Sequence, residues 1–191
     1  MLIGLTGNFG SGKSLILNFM WQYGVVTISS DDIVSELLKE PAVKLELVTV
    51  LGAILDNKGD INKRKMADII FNDKALLKKA EAILHPKVMD RIRQTSIENP
   101  GDIVAAEIPL LFEAGLEGEM DKIVTVICEP ETIKKRLEKK GFKEAEIRLR
   151  QSCQIPQEEK AKRADYVIDN SLSSKETQMH LKNLMSKIKE Q

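Results

Sequence analysis

The chain has 191 residues, enough for one principal core with a small appended lobe and too few for two full enzymatic domains. Its 42% apolar and 30% charged residues exclude wholesale disorder. The 29 basic and 29 acidic side chains cancel, so no global field exists to hold nucleic acid or an anionic membrane, and polyanion chemistry has to be local.

The opening Met1 to Gly4 lacks the basic leader of an export signal, and no apolar run reaches the roughly 18 residues that span a bilayer. A cytoplasmic address without a membrane partner is expected. Cys128 and Cys153 stand apart, as do His85 and His180, which argues against a disulfide framework or a zinc site. The single Trp, 2 Tyr and 5 Phe are too sparse for a base-stacking platform, so no nucleic-acid partner is expected.

Short apolar runs alternate with longer stretches of helical periodicity, the pattern of beta-alpha units around a parallel sheet, and this predicts an α/β fold. Five runs read as strands: Leu2 to Thr6, Val25 to Ile28, Ile103 to Glu107, Lys122 to Cys128 and Tyr166 to Ile168. Four of them are short and continuous enough to be buried on both faces.

The first run enters Gly7-Asn8-Phe9-Gly10-Ser11-Gly12-Lys13-Ser14, a complete G-x-x-x-x-G-K-[ST] placed after a strand and opening a helix. Its glycines let backbone N–H groups curl into an anion nest, reinforced by the helix N-terminus behind it. A triphosphate fits that nest. Lys13 would reach the β- and γ-phosphoryl oxygens, and the Ser14 hydroxyl would take a coordination position on Mg2+. Switches, motors and small-molecule kinases share this cradle. Asn57-Lys58-Gly59-Asp60 has the spelling of a base-reading N-K-x-D but falls in a turn of a stretch without a strand, and no second glycine-rich switch follows the third strand, which favours a phosphotransferase.

The second run ends in Ser29-Ser30-Asp31-Asp32, on the carboxyl edge where such sheets bind ligands. A carboxylate there can orient an acceptor hydroxyl and take its proton, or it can cap the next helix. Local physics leaves open which aspartate does which. More than seventy residues without a good strand follow. Leu45, Val48 and Leu51, then Ala67, Ile70 and Phe71, recur there at helical spacing, and Gly52, Asp56-Asn57-Lys58-Gly59, Pro86 and Asn99-Pro100-Gly101 punctuate the stretch. Three or four helices forming a substrate-binding insertion are expected over 31–102. His85-Pro86 reads by itself as a helix boundary.

The third run leads into Glu107-Ile108-Pro109-Leu110-Leu111-Phe112-Glu113, which either holds a large substrate or packs as core. Residues 131–163 carry 11 basic and 6 acidic side chains. That excess suits a phosphate-facing lid as well as a solvated helical hairpin. The chain then returns to the sheet and ends in a helix from Ser174. Ser173 to Glu176 has the spacing of a capping box, and Met179, Leu184, Met185 and Ile188 form the core stripe.

Together these residues resemble the dephospho-CoA kinase family over nearly the whole chain. Gly4-Leu5-Thr6-Gly7 through Lys13-Ser14 is similar to the family's opening. Leu84-His85-Pro86-Lys87-Val88 resembles its His-Pro helix start, and Ile108 to Glu113 its Pro-Leu-Leu-Phe-Glu signature. Gln154 to Lys160 and Ala164 to Asn170 resemble its lid exit and final strand. The resemblance implies a P-loop three-layer fold with a five-stranded parallel sheet, in which the core spans 1–30, 103–130 and 164–191, the insertion 31–102 and the lid 131–163. It also implies transfer of the ATP γ-phosphoryl group to the ribose 3'-hydroxyl of dephospho-CoA with Mg2+, the last step of coenzyme A biosynthesis. A nucleoside or nucleotide kinase of the same fold and a non-enzymatic ATP sensor are the alternatives.

By the same resemblance Asp31 is the base, with Lys13 and Arg136 as its catalytic companions, and Asp32 is a helix cap. Gly7 to Leu15 and Asn170 would bind the nucleotide; Asp31, His85, Pro109, Leu110, Leu111, Glu113 and Arg150 would bind the acceptor. Gln154 completes the family's Arg-x-x-x-Gln. Leu15, Ser35, Lys63 and Ser171 depart from the family pattern, which usually has threonine, arginine, arginine and glycine in those places.

Overall fold

The structure, a computed structural model, describes residues 1–190, with the side chain of Phe71 also outside the described set. Two compact units form: one from residues 1–29 and 96 onward, the other from Ser30–Thr95.

The first unit is built on a five-stranded, all-parallel sheet in the order β2-β3-β1-β4-β5. Its strands are β1 (Leu2–Gly7), β2 (Val26–Ser29), β3 (Val104–Glu107), β4 (Lys122–Ile127) and β5 (Tyr166–Asp169). All five expected runs are strands. The inner three are buried, whereas β2 and β5 are only partly so. The expectation of four doubly buried strands therefore falls to three, because an edge strand has a neighbour on one side only.

One face of the sheet presents Ile3, Leu5, Ala105, Val124, Val126 and Ile168 to two helices, α1 (Lys13–Gln22) and a terminal helix at Ser174–Lys189. Ile16, Phe19 and Met20 of α1 pack there with Leu181, Met185 and Ile188 of the terminal helix. The capping box expected at Ser173 is present: its hydroxyl accepts from the Glu176 amide, and the Glu176 carboxylate accepts from the Ser173 amide. Of the expected core stripe Met185 and Ile188 are buried and Leu184 is partly buried against the core, whereas Met179 is not. Met179 is 55% exposed, and Thr177, Leu181, Met185 and Ile188 are the buried positions. Burial at 177, 181, 185 and 188 follows the i+4 and i+3 steps of one helix face; a side chain at 179 lies off it. On the opposite face of the sheet Gly4 leaves room for Leu111 and Met120, since a Cβ at position 4 would lie 2.5 Å from Leu111 Cδ1.

The second unit contains α2 (Ser30–Leu37), α3 (Pro41–Leu51), α4 (Lys63–Asn72) and most of α5 (Lys74–Glu98). The turn expected at Asp56 to Gly59 forms: Asp56 Oδ1 accepts from the amides of Lys58 and Asp60, and Leu55 bridges antiparallel to Ile61. Asn62 then caps α4 through the amides of Arg64 and Lys65.

Pro86 does not bound a helix, contrary to expectation, but sits inside the 25-residue α5. Proline removes one helix hydrogen bond and crowds the preceding turn, a cost of about 3 kcal/mol. Ala80, Leu84, Val88 and Ile92 are buried at successive i, i+4 steps on both sides of it. Burying Leu84, Val88 and Ile92 at about 1.5–3 kcal/mol each outweighs the local preference.

Residues 131–163 belong to the first unit and form α6 (Pro130–Lys139), α7 (Glu144–Ser152) and α8 (Gln157–Arg163). The terminal helix is α9. No helix among the described residues is long and apolar enough to cross a membrane.

Candidate active site

The Gly7 to Ser14 loop hangs from the carboxyl end of β1, the central strand. Gly12 occupies the N-cap of α1 in the left-handed region (φ 98°), and no side chain caps the helix. A helix start leaves its first amides without acceptors from within the helix. Leu15 and Ile16 turn back onto the Gly12 carbonyl at 3.0 and 3.3 Å, so the uncapped positive pole is open to an anion.

The loop is built around its own shape. Lys13, nearly buried, donates Nζ to the carbonyls of Gly7 (3.0 Å) and Asn8 (3.3 Å). Asn8 Oδ1 and Ser11 Oγ are buried without a hydrogen-bond partner, polar atoms that a ligand or water would satisfy. Ser14 donates to Glu107 Oε1 at 3.3 Å. Glu107 reaches this position because β3 pairs with β1 in the register Leu5 to Glu107. In sequence Glu107 only flanks the next loop, and the placement of β3 beside β1 is what brings it to Ser14. Leu15 lies half-buried against the sheet core, so only its backbone belongs to the cradle.

Asn170 is fully buried, and its amide holds the loop from outside. Nδ2 donates to the Ser11 carbonyl at 2.7 Å, and Oδ1 accepts from Thr177 Oγ1 at 3.2 Å. Its side chain therefore shapes the cradle instead of presenting itself to a nucleotide. Its carbonyl accepts from Arg136 Nη2 at 2.9 Å and from Cys128 Sγ at 3.4 Å, while Arg136 Nη1 lies 3.3 Å from that sulfur. Burial pushes the Cys128 thiol up from its ordinary value, opposed by the Arg136 charge; the thiol remains a neutral packing partner. Arg136 is thus anchored next to Gly12.

The tip of the loop is held by the 131–163 helices. Phe9 packs against the cluster of Cys128, Ile133, Leu137 and Ile147 with Phe142, and its ring meets that of Phe142 edge-on at 5.1 Å. A Cβ on Gly10 would meet Ile133 and Leu137 at 2.8 and 2.9 Å. Arg150, paired with Glu146 at 2.9 Å, stacks over Phe9 at 4.9 Å from the ring centre. The Phe9 amide donates to Gln154 Oε1 (2.7 Å), and Asn8 Nδ2 to the Ile155 carbonyl (3.3 Å). The sequence therefore led to Arg136, Arg150 and the loop, and the structure brings all three together.

The loop after β3 is different. Leu111 is fully buried and Phe112 nearly so, which makes them core, while Pro109 and Leu110 are half-buried. Glu113 is occupied: it pairs with the completely buried Lys160 at 2.9 Å and accepts from the Ile155 amide at 2.9 Å. Burial pushes the Lys160 ammonium down from its ordinary value, countered by Glu113. Lys160 was missed because, in sequence, it is one lysine among many in a charged helix.

In the second unit Asp31 and Asp32 are exposed in the first turn of α2. Asp32, expected as a helix cap, is the third residue of that helix. There a carboxylate acts on the helix pole from within the first turn. Ser35 Oγ donates to the Asp31 carbonyl (2.8 Å) and accepts from Lys63 Nζ (2.8 Å), so two departures from the family pattern meet each other. His85 is half-buried on α5.

A model of the dephospho-CoA kinase family matches residues 1–176. The chain belongs to the dephospho-CoA kinase family. The dephospho-CoA kinase of Aquifex aeolicus is 35% identical over 189 residues, covering 97% of this chain and 96% of that protein. Among solved structures, a Thermus thermophilus protein superposes with a TM-score of 0.85 at 30% identity, covering 98% of this chain and 97% of its own. The dephospho-CoA kinase from Campylobacter jejuni superposes at 0.69 and 26% identity, covering 98% and 96%. A dephospho-CoA kinase activity, ATP-dependent and serving coenzyme A biosynthesis, follows from membership, and the five-stranded parallel sheet is that of the family's P-loop kinase fold.

Proposed function

We propose that the chain transfers the γ-phosphoryl group of ATP to the ribose 3'-hydroxyl of dephospho-CoA, with the Gly7 to Ser14 cradle and Lys13 binding the phosphates. The observation carrying this is the uncapped α1 start with two orphaned polar atoms in the loop beside it. An anion answers the helix pole and accepts from the Ser11 hydroxyl, while Asn8 Oδ1, an acceptor, takes a water or another donor beside it.

Arg136 and Arg150 lie against the loop on helices of the 131–163 segment, which we assign the role of a lid that excludes water from the γ-phosphate. Their guanidinium groups suit charge spread over the equatorial oxygens of the transferring group. Asp31 takes the proton of the 3'-hydroxyl as its oxygen bonds to phosphorus and the bond to ADP breaks. This role is supported by its place two residues beyond the end of β2 and by the family resemblance. Pro109, Leu110 and His85 are assigned to the acceptor.

Among the described residues no three His, Cys, Asp or Glu side chains gather as a metal site. That fits Mg2+, which is held largely by phosphate and water. Ser14 Oγ and Glu107, both hard oxygen donors, would hold it. When bound, it neutralises charge on the β- and γ-phosphoryl oxygens. Two free thiols, Cys128 and Cys153, support a reducing, cytoplasmic setting.

The test is coupled ADP release with dephospho-CoA beside AMP, CMP, adenosine and shikimate. The expected result is turnover with dephospho-CoA far above the others. Preferential turnover of AMP or CMP would make the chain a nucleotide kinase, and tight ATP binding without turnover on any acceptor would make it a sensor.

A further inference from the structure

Among the described residues Lys160 is the largest fully buried side chain, and it carries an ionisable group that the reaction itself does not use. Its Nζ lies 2.8 Å from the Pro109 carbonyl and 2.9 Å from Glu113 Oε1. The same carbonyl also accepts from Gln154 Nε2 and Thr6 Oγ1, each at 3.3 Å. Glu113 Oε1 additionally takes the Ile155 amide. Gln154 and Ile155 in turn hold the tip of the nucleotide loop through the Phe9 amide and the Asn8 side chain. One unbroken chain of polar contacts thus runs from Phe9 through Gln154 to Pro109, Glu113 and Lys160.

We infer that Lys160 and Glu113 form a positioning strut that fixes the acceptor loop at Pro109 and Leu110 relative to the nucleotide loop, so that phosphoryl transfer to the acceptor is favoured over transfer to water. The inference rests on the proposed reaction. A buried ion pair is a poor device for stability, since apolar replacements of similar volume are often neutral or stabilising. Its place beneath two functional loops points to geometry more than to stability. Misplacement of an acceptor by about 1 Å can cost on the order of 10²-fold in rate, whereas attack by water needs no acceptor loop.

The test uses the full-length protein and two variants, Lys160→Met and the double variant Lys160→Met with Glu113→Leu, which replaces the pair by apolar groups. In each, phosphoryl transfer to dephospho-CoA is divided by ATP hydrolysis without acceptor. This ratio is insensitive to the folded fraction, because both rates come from the same molecules. The expected result is a fall of at least ~10-fold in both variants, persisting in the double variant even where its melting temperature is native. A ratio within about twofold of native in either variant overturns the strut. Absence of transfer to dephospho-CoA by the unmodified protein removes instead the reaction on which the strut rests.

Discussion

Replacing Gly12 by alanine isolates the geometry of the cradle. The position has a φ of 98°, and a non-glycine residue in the left-handed region loses about 1–2 kcal/mol. The added Cβ would lie 2.0 Å from Asn170 Nδ2, so the buried amide has to leave the Ser11 carbonyl. Displacing it strands polar groups that cost about 1–3 kcal/mol. Together these amount to about 2–5 kcal/mol against the binding-competent loop, equivalent to a loss of ATP affinity between ~30-fold and a few thousand-fold. Titration calorimetry of ATP with native and Gly12→Ala protein measures this directly, and circular dichroism shows whether part of the cost falls on folding. If Gly12→Ala binds ATP within threefold of native and melts at the same temperature, the contact between Asn170 and the loop does not constrain the cradle, and the reasoning fails.

Asp31→Asn is expected to lower turnover at least ~100-fold with ATP binding nearly unchanged; near-native turnover in the purified variant would take the base role away from Asp31. The Glu176 carboxyl is held below its ordinary value by the hydrogen bonds from Ser173. Its stabilising contribution is therefore complete above the unfolded value and lost as pH falls through the lowered folded one. Ser173→Ala should lower the melting temperature at neutral pH by about 2–4 °C, and the gap to native should narrow on acidification; a gap constant down to pH 3 would contradict this linkage.

The strands were legible because a doubly wound sheet buries its inner strands on both faces, leaving short continuous apolar runs such as Leu2 to Thr6. The cradle was legible because phosphate imposes both residue type and spacing on Gly7 to Ser14. Elsewhere the signal was tertiary. Nothing local distinguishes Lys160 from the solvated lysines around it, and its burial follows from the position of α8 beneath the Pro109 carbonyl. Pro86 carried a boundary signal that the buried face of α5 overrode. Asn170 was visible as part of a motif, but its attachment to the Ser11 carbonyl joins residues 159 positions apart. The occupation of Glu113 by Lys160 was hidden for the same reason: sequence displays a carboxylate, not the cation already resting on it.

The placement of β1 between β3 and β4 has a dynamic consequence. Its backbone is paired on both sides and all six residues are buried, so its amides should exchange with deuterium only when the whole unit opens. Two residues beyond its end, Phe9 is secured by side chains of α6 and α7, whose partial opening would release it. The nucleotide loop is thus moored at one end to a strand paired on both sides and at the other to α6 and α7, which lie outside the sheet.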